Sequence, residues 1–366
     1  EITTRLVGSE MCIRDSNLMK KFLSVLALLL LIVQGSYAQK KFSAYGVAFY
    51  NQENLFDTCH DEGKNDYEFL PTGSYRWNGL KYKNKLHNMA RALADLGTDV
   101  LPGVGCAVIG LSEVENNKVL DALVAQPELA ARGYKYCHVE GPDKRGIDCA
   151  LLYNPALFSV RDVKLVPYVY DLPKDSARAT RGFLTVSGTM AGEHLTVVVC
   201  HWPSRGASSH YREIAGTQVK AVKDSLLRDD PNCKVMVMGD MNDDPTNKSM
   251  TDCLSCKPEI DQVGPDNMYN PWHNILAKEG RGTLAYGGSW NLFDQIVMTP
   301  NLLNKKGQKD YSTLKFWKHH IFMRPYLIQN EGKYKGTPKR TTAGGVWLNG
   351  FSDHLPVVLY LLKEQK

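Results

Sequence analysis

The sequence predicts a mixed α/β fold in which strands outnumber helices, rather than a doubly wound parallel sheet with regular strand–helix alternation. Short apolar runs of strand length recur along the whole chain, and only a few helical patterns separate them. Several of these runs end abruptly in polar side chains, and no internal period indicates a repeat protein. The chain has 366 residues, 43% of them hydrophobic, and is therefore long enough to bury a large core.

The N-terminal residues have the features of a secretory signal peptide. Met19 is followed by two lysines, an apolar run over residues 22–33, and small residues at Ser36 and Ala38. This order predicts a signal peptide over residues 19–38 that is cleaved near Ala38. The apolar run is too short for a comfortable membrane span, so we expect no stable membrane anchor. We expect the protein to be exported, and to be periplasmic or extracellular.

The predicted signal peptide lies between two other parts of the sequence. Residues 1–18 lie upstream of Met19, and we expect them to be non-native sequence. Residues 39–366 are predicted to form a single domain and a monomer. The net charge of +5 is small for this length, so any attraction for nucleic acid must be local and no tight nonspecific binding is expected.

Helices and strands are predicted from apolar periodicity and from the residues at their ends. Asn78 caps a helix that extends to residue 96, and two further helices are expected over residues 118–132 and 209–228. Strands are expected over residues 44–50, 107–111, 134–139, 149–153, 160–169, 182–187, 195–200, 235–239, 291–298 and 355–362.

The stretch VMVMGDMNDD, residues 235–244, joins an apolar strand to a cluster of polar side chains. Asp240 and Asn242 are two residues apart, and in extended backbone this spacing points both side chains to one side. A carboxylate and an amide placed in this way can face one substrate or one hard cation. Alternatively, the polar residues form a turn that closes a core strand.

Polar side chains lie near the ends of other predicted strands in the same way. The residues concerned are Asn54, Glu113, Arg145 with Asp148, His201 with Arg205, Asp294, and Asp353 with His354. Each one alone has a structural explanation, as a cap, an ion pair, a solvated charge or a core histidine. Those separate explanations do not account for their joint occurrence, in residue types that suit one reaction, the hydrolysis of a phosphate ester.

The residue types fit this chemistry. Carboxylate and amide oxygens bind Mg²⁺, Mn²⁺ or Ca²⁺, which polarise a phosphoryl oxygen and offset developing charge. Histidine and arginine donate hydrogen bonds to phosphate, and an aspartate beside a histidine fixes its tautomer. No residue has the surroundings of an activated nucleophile, so we expect attack by water.

Seven motifs, in the same order, resemble those of the endonuclease/exonuclease/phosphatase superfamily, which includes proteins similar to DNase I and exonuclease III. They are ENLFD, LSEVE, RGIDCALLY, HWPSR, GDMND, FDQIV and FSDHLPV, and the resemblance covers residues 45–362. HWPSR and RGID resemble secreted bacterial nuclease-like members. The resemblance implies a DNase I-like α+β fold, a four-layer sandwich of two packed mixed β-sheets flanked by helices.

The resemblance also implies residues that hold the metal and the phosphate. Glu113 matches the family's principal metal ligand, and Asn54 matches an amide near that metal. Asp353 is expected near the metal as well. Arg145 and Arg205 are expected to contact the phosphate of the substrate.

The remaining matched positions are catalytic residues in the family. His201 is expected to contact the scissile phosphate, Asp240 to orient or deprotonate the attacking water, and Asn242 to hold the phosphate. Asp294 and His354 are expected to form a carboxylate–histidine pair. The resemblance does not determine which of His201 and His354 acts as acid and which as base.

Three functions are compatible with these residues. The leading hypothesis is an exported, divalent-metal-dependent phosphodiesterase acting on DNA or RNA, whose backbone would be held by basic and aromatic residues near the site, namely Lys144, Arg145, Arg205, Arg212 and Trp202. The alternative enzyme is a phospholipid or small phosphate-ester hydrolase, similar to sphingomyelinases or inositol-phosphate phosphatases, with Trp272 or Trp290 on an exposed apolar loop. A non-catalytic binding module is disfavoured because every expected catalytic position carries a suitable residue type.

Two features leave the substrate and the cysteine chemistry open. The segments 58–77 and 280–289 do not match the compact nucleases closely, and substrate choice depends on such loops. Cys253 and Cys256 have CxxC spacing, which permits a local disulfide and is weak evidence for zinc because no second pair accompanies it.

Overall fold

Two mixed β-sheets form the frame of the protein in the computed structural model, which describes residues 41–170 and 180–365. The first sheet has six strands. In sheet order they are β14 (Lys315–Ile321), β17 (Val357–Glu364), β1 (Phe42–Leu55), β2 (Cys106–Val114), β4 (Asp148–Tyr153) and β3 (Lys135–His138). β1 and β2 are parallel, whereas β2, β4 and β3 pair in antiparallel fashion.

The second sheet has seven strands. In sheet order they are β5 (Phe158–Val166), β6 (Phe183–Met190), β7 (Glu193–His201), β8 (Lys234–Asp240), β13 (Asp294–Met298), β10 (Met268–Tyr269) and β9 (Cys256–Lys257). β7 and β8 are parallel, and β13 runs antiparallel to β8. Two small hairpins pair β11 (Leu284–Tyr286) with β12 (Ser289–Asn291), and β15 (Thr342–Ala343) with β16 (Val346–Trp347).

Helices connect and cover the strands. The α-helices of the described residues are α1 (Gly79–Asp95), α2 (Asn117–Val124), α3 (Pro127–Ala130), α4 (Ser209–Asp229) and α5 (His273–Glu279). Short 3₁₀ turns span Tyr67–Phe69, Ile260–Gln262, Pro300–Leu302 and Pro325–Leu327, and a π turn spans Ser249–Cys253. Asn78 caps α1 as predicted, since its side chain accepts hydrogen bonds from the backbone N–H groups of Leu80 and Lys81.

The alternation of side chains along the central strands creates two cores. In β7, Val197 and Val199 belong to the large core that also includes the strands of the first sheet. Val198 points to the other face and packs in a second core with Ala215 and Val219 of α4. Because successive side chains of a strand project to opposite faces, β7 is buried on both sides, and its centre is the continuous apolar run of residues 197–200. The predicted fold class, two mixed sheets with helices, is confirmed.

The structure corrects two predicted elements. The single helix expected over residues 118–132 is wrong: α2 ends at Val124, and Gln126 has extended backbone (φ −62°, ψ 141°) before Pro127 begins α3. Proline disfavours helical backbone in the residue before it and lacks the N–H that a continuous helix needs. The first strand is longer than the predicted 44–50, because β1 continues through its polar residues to Leu55.

The described cysteines are all free, so the CxxC pair forms no disulfide in this structure. The predicted signal peptide and upstream sequence lie in residues 1–40, outside the described residues. Among the residues that are described, no helix has the length and apolar character needed to cross a bilayer. The contacts of residues 43–363 define one compact unit.

His319 in β14 provides a test of the core at low pH. Its ring packs edge-on against Trp272, with centroids 4.9 Å apart. Burial lowers the pKa of His319 from 6.5 to about 4. Between these values the unfolded chain binds a proton that the folded protein does not, so the free energy of unfolding decreases as the pH falls from 6.5 towards 4.

We expect His319→Phe, which retains an aromatic ring beside Trp272, to remove about 2 kcal/mol of this acid destabilisation. Urea unfolding at pH 7 and pH 4.5 measures the difference. The matched control is His87→Phe at an exposed histidine, which should show the pH dependence of the wild type. An equally steep loss of stability in His319→Phe would contradict the prediction.

Candidate active site

Three adjacent strands of the second sheet place polar side chains in one row. His201 of β7 lies opposite Asp240 of β8, and Asp240 lies opposite Asp294 of β13. Residues directly opposite each other on neighbouring strands project to the same face of a sheet. All three side chains are buried. The register of the sheet therefore assembles a histidine and two aspartates that are far apart in sequence.

The first sheet contributes Asn51 and Glu113 from its parallel strands β1 and β2. Asn51 lies opposite Ser112, the residue before Glu113, and the register shifts between Asn51 and Leu55. An irregularity of this kind bends the strand and redirects its side chains, and it is frequent next to active sites.

Left-handed backbone is concentrated at the same place. Four non-glycine residues of the site region have positive φ, namely Glu53 (46°), Asn54 (56°), Glu113 (60°) and Asn242 (50°). Such conformations cost on the order of 1–3 kcal/mol each and persist only where surrounding contacts hold them. Their concentration here indicates that this backbone serves the site rather than the stability of the fold.

The side-chain amide of Asn51 joins the two sheets. Its Nδ2 donates to Asp240 Oδ2 at 3.0 Å and lies 3.3 Å from Glu113 Oε1. Asn51 is buried, and its Oδ1 accepts a hydrogen bond from the backbone N–H of Glu53 at 2.8 Å. The motif comparison overlooked Asn51, although a polar residue directly after the apolar run of β1 is the kind of signal that selected the other candidates.

Asn54 occupies a different position from the one expected. Its backbone N–H, not its side chain, donates to Glu113 Oε2 at 2.9 Å. Its side-chain Oδ1 lies 3.3 Å from Nη1 of Arg145, and the Arg145 side chain is exposed. The amide closest to Glu113 therefore belongs to Asn51, while Asn54 and Arg145 lie together at the surface of the site.

His354 and Asp294 form the expected carboxylate–histidine pair. The ring Nδ1 lies 2.7 Å from Asp294 Oδ2, and Nε2 lies 3.7 Å from Asp240 Oδ2. Burial alone would lower the pKa of His354, but the charges of Asp294 and Asp240 outweigh it and raise the pKa well above its usual value. These carboxylates therefore favour the protonated form of the ring, whose Nε2 is directed toward the row of carboxylates.

His201 has the opposite character. Its Nε2 lies 3.7 Å from both Glu113 Oε1 and Asp240 Oδ2. Burial, together with the positive charges of Arg181 and Arg145, lowers the pKa of His201 well below its usual value. Arg181, which sequence reasoning did not single out, donates from Nε to the backbone oxygen of His201 at 3.3 Å. The pKa values of the two histidines are thus shifted in opposite directions because their charged neighbours differ.

Asp240 lies between the two histidines. Burial raises the pKa of Asp240 to about 7, with the positive charge of His354 opposing this shift and Asp294 adding to it. The carboxylate accepts hydrogen bonds from Asn51 Nδ2 at 3.0 Å and from the backbone N–H of Asn242 at 2.9 Å. Burial therefore brings the proton affinity of the Asp240 carboxyl close to neutral pH.

Asn242 and Arg205 lie beside this centre. Asn242 Nδ2 donates to the backbone oxygen of Trp202 at 2.9 Å, which fixes the orientation of the amide. Arg205 Nη2 pairs with Asp244 at 2.8 Å, and its Nη1 donates to Asn291 Oδ1 at 3.0 Å. Much of the hydrogen-bonding capacity of Arg205 is thus used within the protein.

Three residues expected to contact substrate through exposed side chains are buried, so these expectations are wrong. Trp202 and Trp272 have no exposed surface, and Arg212 is 5% exposed. Arg212 Nε lies 2.8 Å from Asp243 Oδ1. Trp202 packs in the second core, Trp272 packs in the large core and Arg212 pairs with Asp243, which the sequence pattern did not reveal.

The donor set fits a hard divalent cation. Asp240, Asp294 and His354 have ligand atoms within 4.8 Å of one another, but the short contact between Asp294 and His354 occupies one of these carboxylate oxygens. Glu113 is partly exposed, and Asp353 Oδ1 lies 4.0 Å from His354 Nε2. Oxygen donors of this type are the ligands that Mg²⁺, Mn²⁺ and Ca²⁺ prefer.

The sequence of this chain matches a known protein family. A model of the Endonuclease/Exonuclease/phosphatase family matches residues 46–363. The chain belongs to this family. Its members are metal-dependent hydrolases that act on phosphoester bonds, which confirms the predicted enzyme class and the resemblance of the motifs.

Solved structures share the fold of this family member. TDP2 from D. rerio, in complex with a single strand DNA product, is 14% identical with a TM-score of 0.51 over 87% of this chain and 99% of that chain. A family protein from Bacteroides thetaiotaomicron is 16% identical with a TM-score of 0.52, covering 89% and 97%. A mannosyl-6-phosphatase from the same organism is 16% identical with a TM-score of 0.51, covering 87% and 99%. No curated protein matches at a significant level.

The position of Asn51 leads to a first prediction for the site. We expect Asn51→Ala to lower kcat/KM by about 10²–10³-fold, because the amide no longer separates and bridges the carboxylates of Glu113 and Asp240. Asn51→Asp, which retains the acceptor for the N–H of Glu53 but loses the donor, should be equally impaired. Asn54→Ala should lose less than about 10-fold.

Hydrolysis of bis(p-nitrophenyl) phosphate with Mg²⁺ measures these values, and thermal unfolding shows whether each variant folds. A larger loss in Asn54→Ala than in folded Asn51 variants would reverse the assignment.

The pair of Asp294 and His354 leads to a second prediction. We expect Asp294→Asn to lower kcat by about 10²–10⁴-fold, because a neutral amide holds the ring but does not stabilise its positive charge. Nitrogen NMR of the His354 ring should show a neutral imidazole in the variant. Asp95→Asn, at a carboxylate that pairs with Arg324 away from the site, is the matched control. A kcat near that of the wild type would disprove the role of the pair.

Proposed function

We propose that this enzyme is an exported hydrolase that uses a divalent cation and an attacking water to cleave a phosphoester bond. Mg²⁺ is the first candidate cation, with Mn²⁺ and Ca²⁺ as alternatives. The observation that supports the proposal most is the bridge from Asn51 to Glu113 and Asp240 beside the pair of Asp294 and His354. Export is supported by the signal-like sequence over residues 19–38.

The environments of the side chains support distinct roles. Asp240 orients the attacking water and accepts its proton. His354, held by Asp294, donates its Nε2 proton to the leaving oxygen as the P–O bond breaks, whereas His201 contacts the scissile phosphate from the other side of Asp240. Glu113, Asp353 and the neighbouring amide would hold the cation, which polarises the phosphoryl oxygen when bound and offsets its developing charge.

A compact phosphate ester is the substrate class that the described side chains favour. Trp202 and Arg212, which would have held a nucleic-acid backbone, are buried, and Arg205 is engaged with Asp244. Trp272 is buried as well, so the apolar loop expected of a phospholipid hydrolase loses one of its two candidates. The likeness to a mannosyl-6-phosphatase adds support for a small ester.

DNA or RNA is the second candidate, because two basic side chains remain available beside the site. Lys144 and Arg145 are exposed, and Arg145 lies 3.3 Å from Asn54. Side chains of this kind contact phosphates without reading bases. The likeness to TDP2 in complex with a DNA product is consistent with this candidate.

The proposal predicts metal-dependent hydrolysis that requires the site. With residues 39–366, we expect turnover of a phosphate ester with Mg²⁺ or Mn²⁺ and none with EDTA. Glu113→Ala and His201→Ala should each lose at least about 10²-fold in kcat. Glu128→Ala, at a carboxylate on α3 that pairs with His87, is the matched control and should retain wild-type activity.

The substrates to compare are p-nitrophenyl phosphate, bis(p-nitrophenyl) phosphate and supercoiled plasmid. Faster turnover of the small esters supports the first substrate class, and efficient nicking of the plasmid supports the second. Absence of turnover of every substrate with all three cations, by folded protein, would refute hydrolysis and leave a binding module.

A further inference from the structure

A polar cavity of about 260 Å³ lies beside the groups that would hold the cation. Asn54 and Asp353 form part of its lining, together with Arg340, Tyr75 and the turn at residues 342–345 that joins β15 to β16. Asp353 precedes His354 in sequence, so the cavity adjoins the proposed catalytic centre. A group attached to the phosphate can enter it without displacing a catalytic side chain.

The hairpin that forms one side of the cavity is held by a single carboxylate of β1. Glu53 Oε2 accepts a hydrogen bond from the backbone N–H of Thr341 at 2.6 Å, and Oε1 accepts one from Thr342 at 3.4 Å. Buried Lys85 donates from Nζ to Thr341 Oγ1 at 2.6 Å. Glu53 and Asn54 are adjacent in β1, so the same part of this strand borders both the cavity and the active site.

The chemistry of the lining suits hydroxyl groups. Arg340 Nη2 donates to Asp353 Oδ2 at 2.6 Å, and both side chains line the cavity and are partly exposed. A hydroxyl group both donates and accepts, so it can bond to a carboxylate and a guanidinium at once. An acyl chain would instead remove water from this ion pair and offer no hydrogen bond in its place.

The size of the cavity limits what enters. Pockets for drug-sized ligands occupy about 300–1,000 Å³, so a cavity of about 260 Å³ accommodates one ring rather than several. The ring of Tyr75 stacks on Phe69, with centroids 5.0 Å apart, and is thereby held in place as a flat surface. The C–H groups of a sugar ring are attracted to the negative face of an aromatic ring.

The turn between β15 and β16 leaves the entrance of the cavity open. Gly344 and Gly345 have φ of +56° and +79°, and a Cβ at either position would meet no atom within 4 Å. The described turn therefore combines a backbone conformation that favours glycine with open space in front of it. A hydroxyl-bearing ring can reach Arg340 and Asp353 past this turn.

We propose that this cavity binds the leaving group of the substrate, and that this group is a single sugar ring joined to the phosphate. This inference rests on the proposed function, since it names the substrate class of the same site. Arg340 and Tyr75 are then specificity-determining residues: Arg340 recognises hydroxyl groups and Tyr75 the face of the ring. Neither residue takes part in the transfer of the phosphoryl group.

Two esters of similar size separate recognition of hydroxyl groups from hydrolysis itself. We expect kcat/KM for glucose 6-phosphate or mannose 6-phosphate to exceed that for cyclohexylmethyl phosphate, which has no hydroxyl groups on the ring, by about 10²-fold or more. Tyr75→Ala and Arg340→Gln should reduce this ratio at least about 10-fold, chiefly through a higher KM for the sugar ester. Tyr67→Ala, at a residue that is 57% exposed in the same segment, is the matched control and should keep the ratio.

The outcomes distinguish this inference from the proposed function. If both esters are hydrolysed with equal kcat/KM, in a metal-dependent reaction that Glu113→Ala abolishes, the sugar proposal is wrong and the proposed function stands. A high ratio that persists in folded Tyr75→Ala and Arg340→Gln variants would overturn the assignment of the cavity. If no ester is hydrolysed with any of the three cations, the proposed function is wrong, and the sugar proposal that rests on it is wrong as well.

Discussion

The hydrogen bond from Asn51 to Asp240 is the interaction on which the site depends, because it connects the two sheets at their polar end. Asn51 belongs to the first sheet and Asp240 to the second, and their side-chain atoms lie 3.0 Å apart in a buried position. The bond forms only if each sheet has its observed register, since a shift of one residue would turn the side chain to the opposite face. The packing of the apolar core thus determines the geometry of the polar site.

The same arrangement explains the electrostatics of the site. Burial opposes the charge of every group that it encloses, and Asp240 and His201 are therefore shifted toward their neutral forms. His354 is the exception, because Asp294 lies 2.7 Å from its ring. The pKa values of two histidines with similar burial are thus shifted in opposite directions by their neighbours. At one phosphate, such a pair of histidines combines a ring that favours the protonated form, His354, with a ring that favours the neutral form, His201.

Much of the fold and of the site can be predicted from sequence because the relevant signals are local. Apolar runs located the central strands, polar residues after them located His201 and Asp240, and an acid near the start of a predicted strand located Asp294. The structure brings these three residues into one row. The motifs also paired Asp294 with His354 correctly. The break between α2 and α3 was equally local, since Pro127 marks it, and was missed.

What sequence could not provide depends on three-dimensional packing. The burial of Trp202 and Arg212 follows from the second core and from Asp243, which no periodicity reveals. Asn51 and Asn54 are three residues apart in one polar run, and the irregular backbone of β1 decides which side chain faces Glu113. The pKa of each histidine is likewise set by residues from other strands.

The attachment of the β15–β16 hairpin has a consequence for the diversification of this enzyme. The hairpin is attached to Glu53 through the backbone N–H groups of Thr341 and Thr342, so these two hydrogen bonds do not depend on which side chains the hairpin carries. The side chains of Ala343 and Val346 can therefore vary without disturbing these hydrogen bonds, whereas Gly344 and Gly345 retain the positive φ that favours glycine. Recombination or directed evolution of this short segment can change what the enzyme accepts while the reacting groups remain fixed in the sheets.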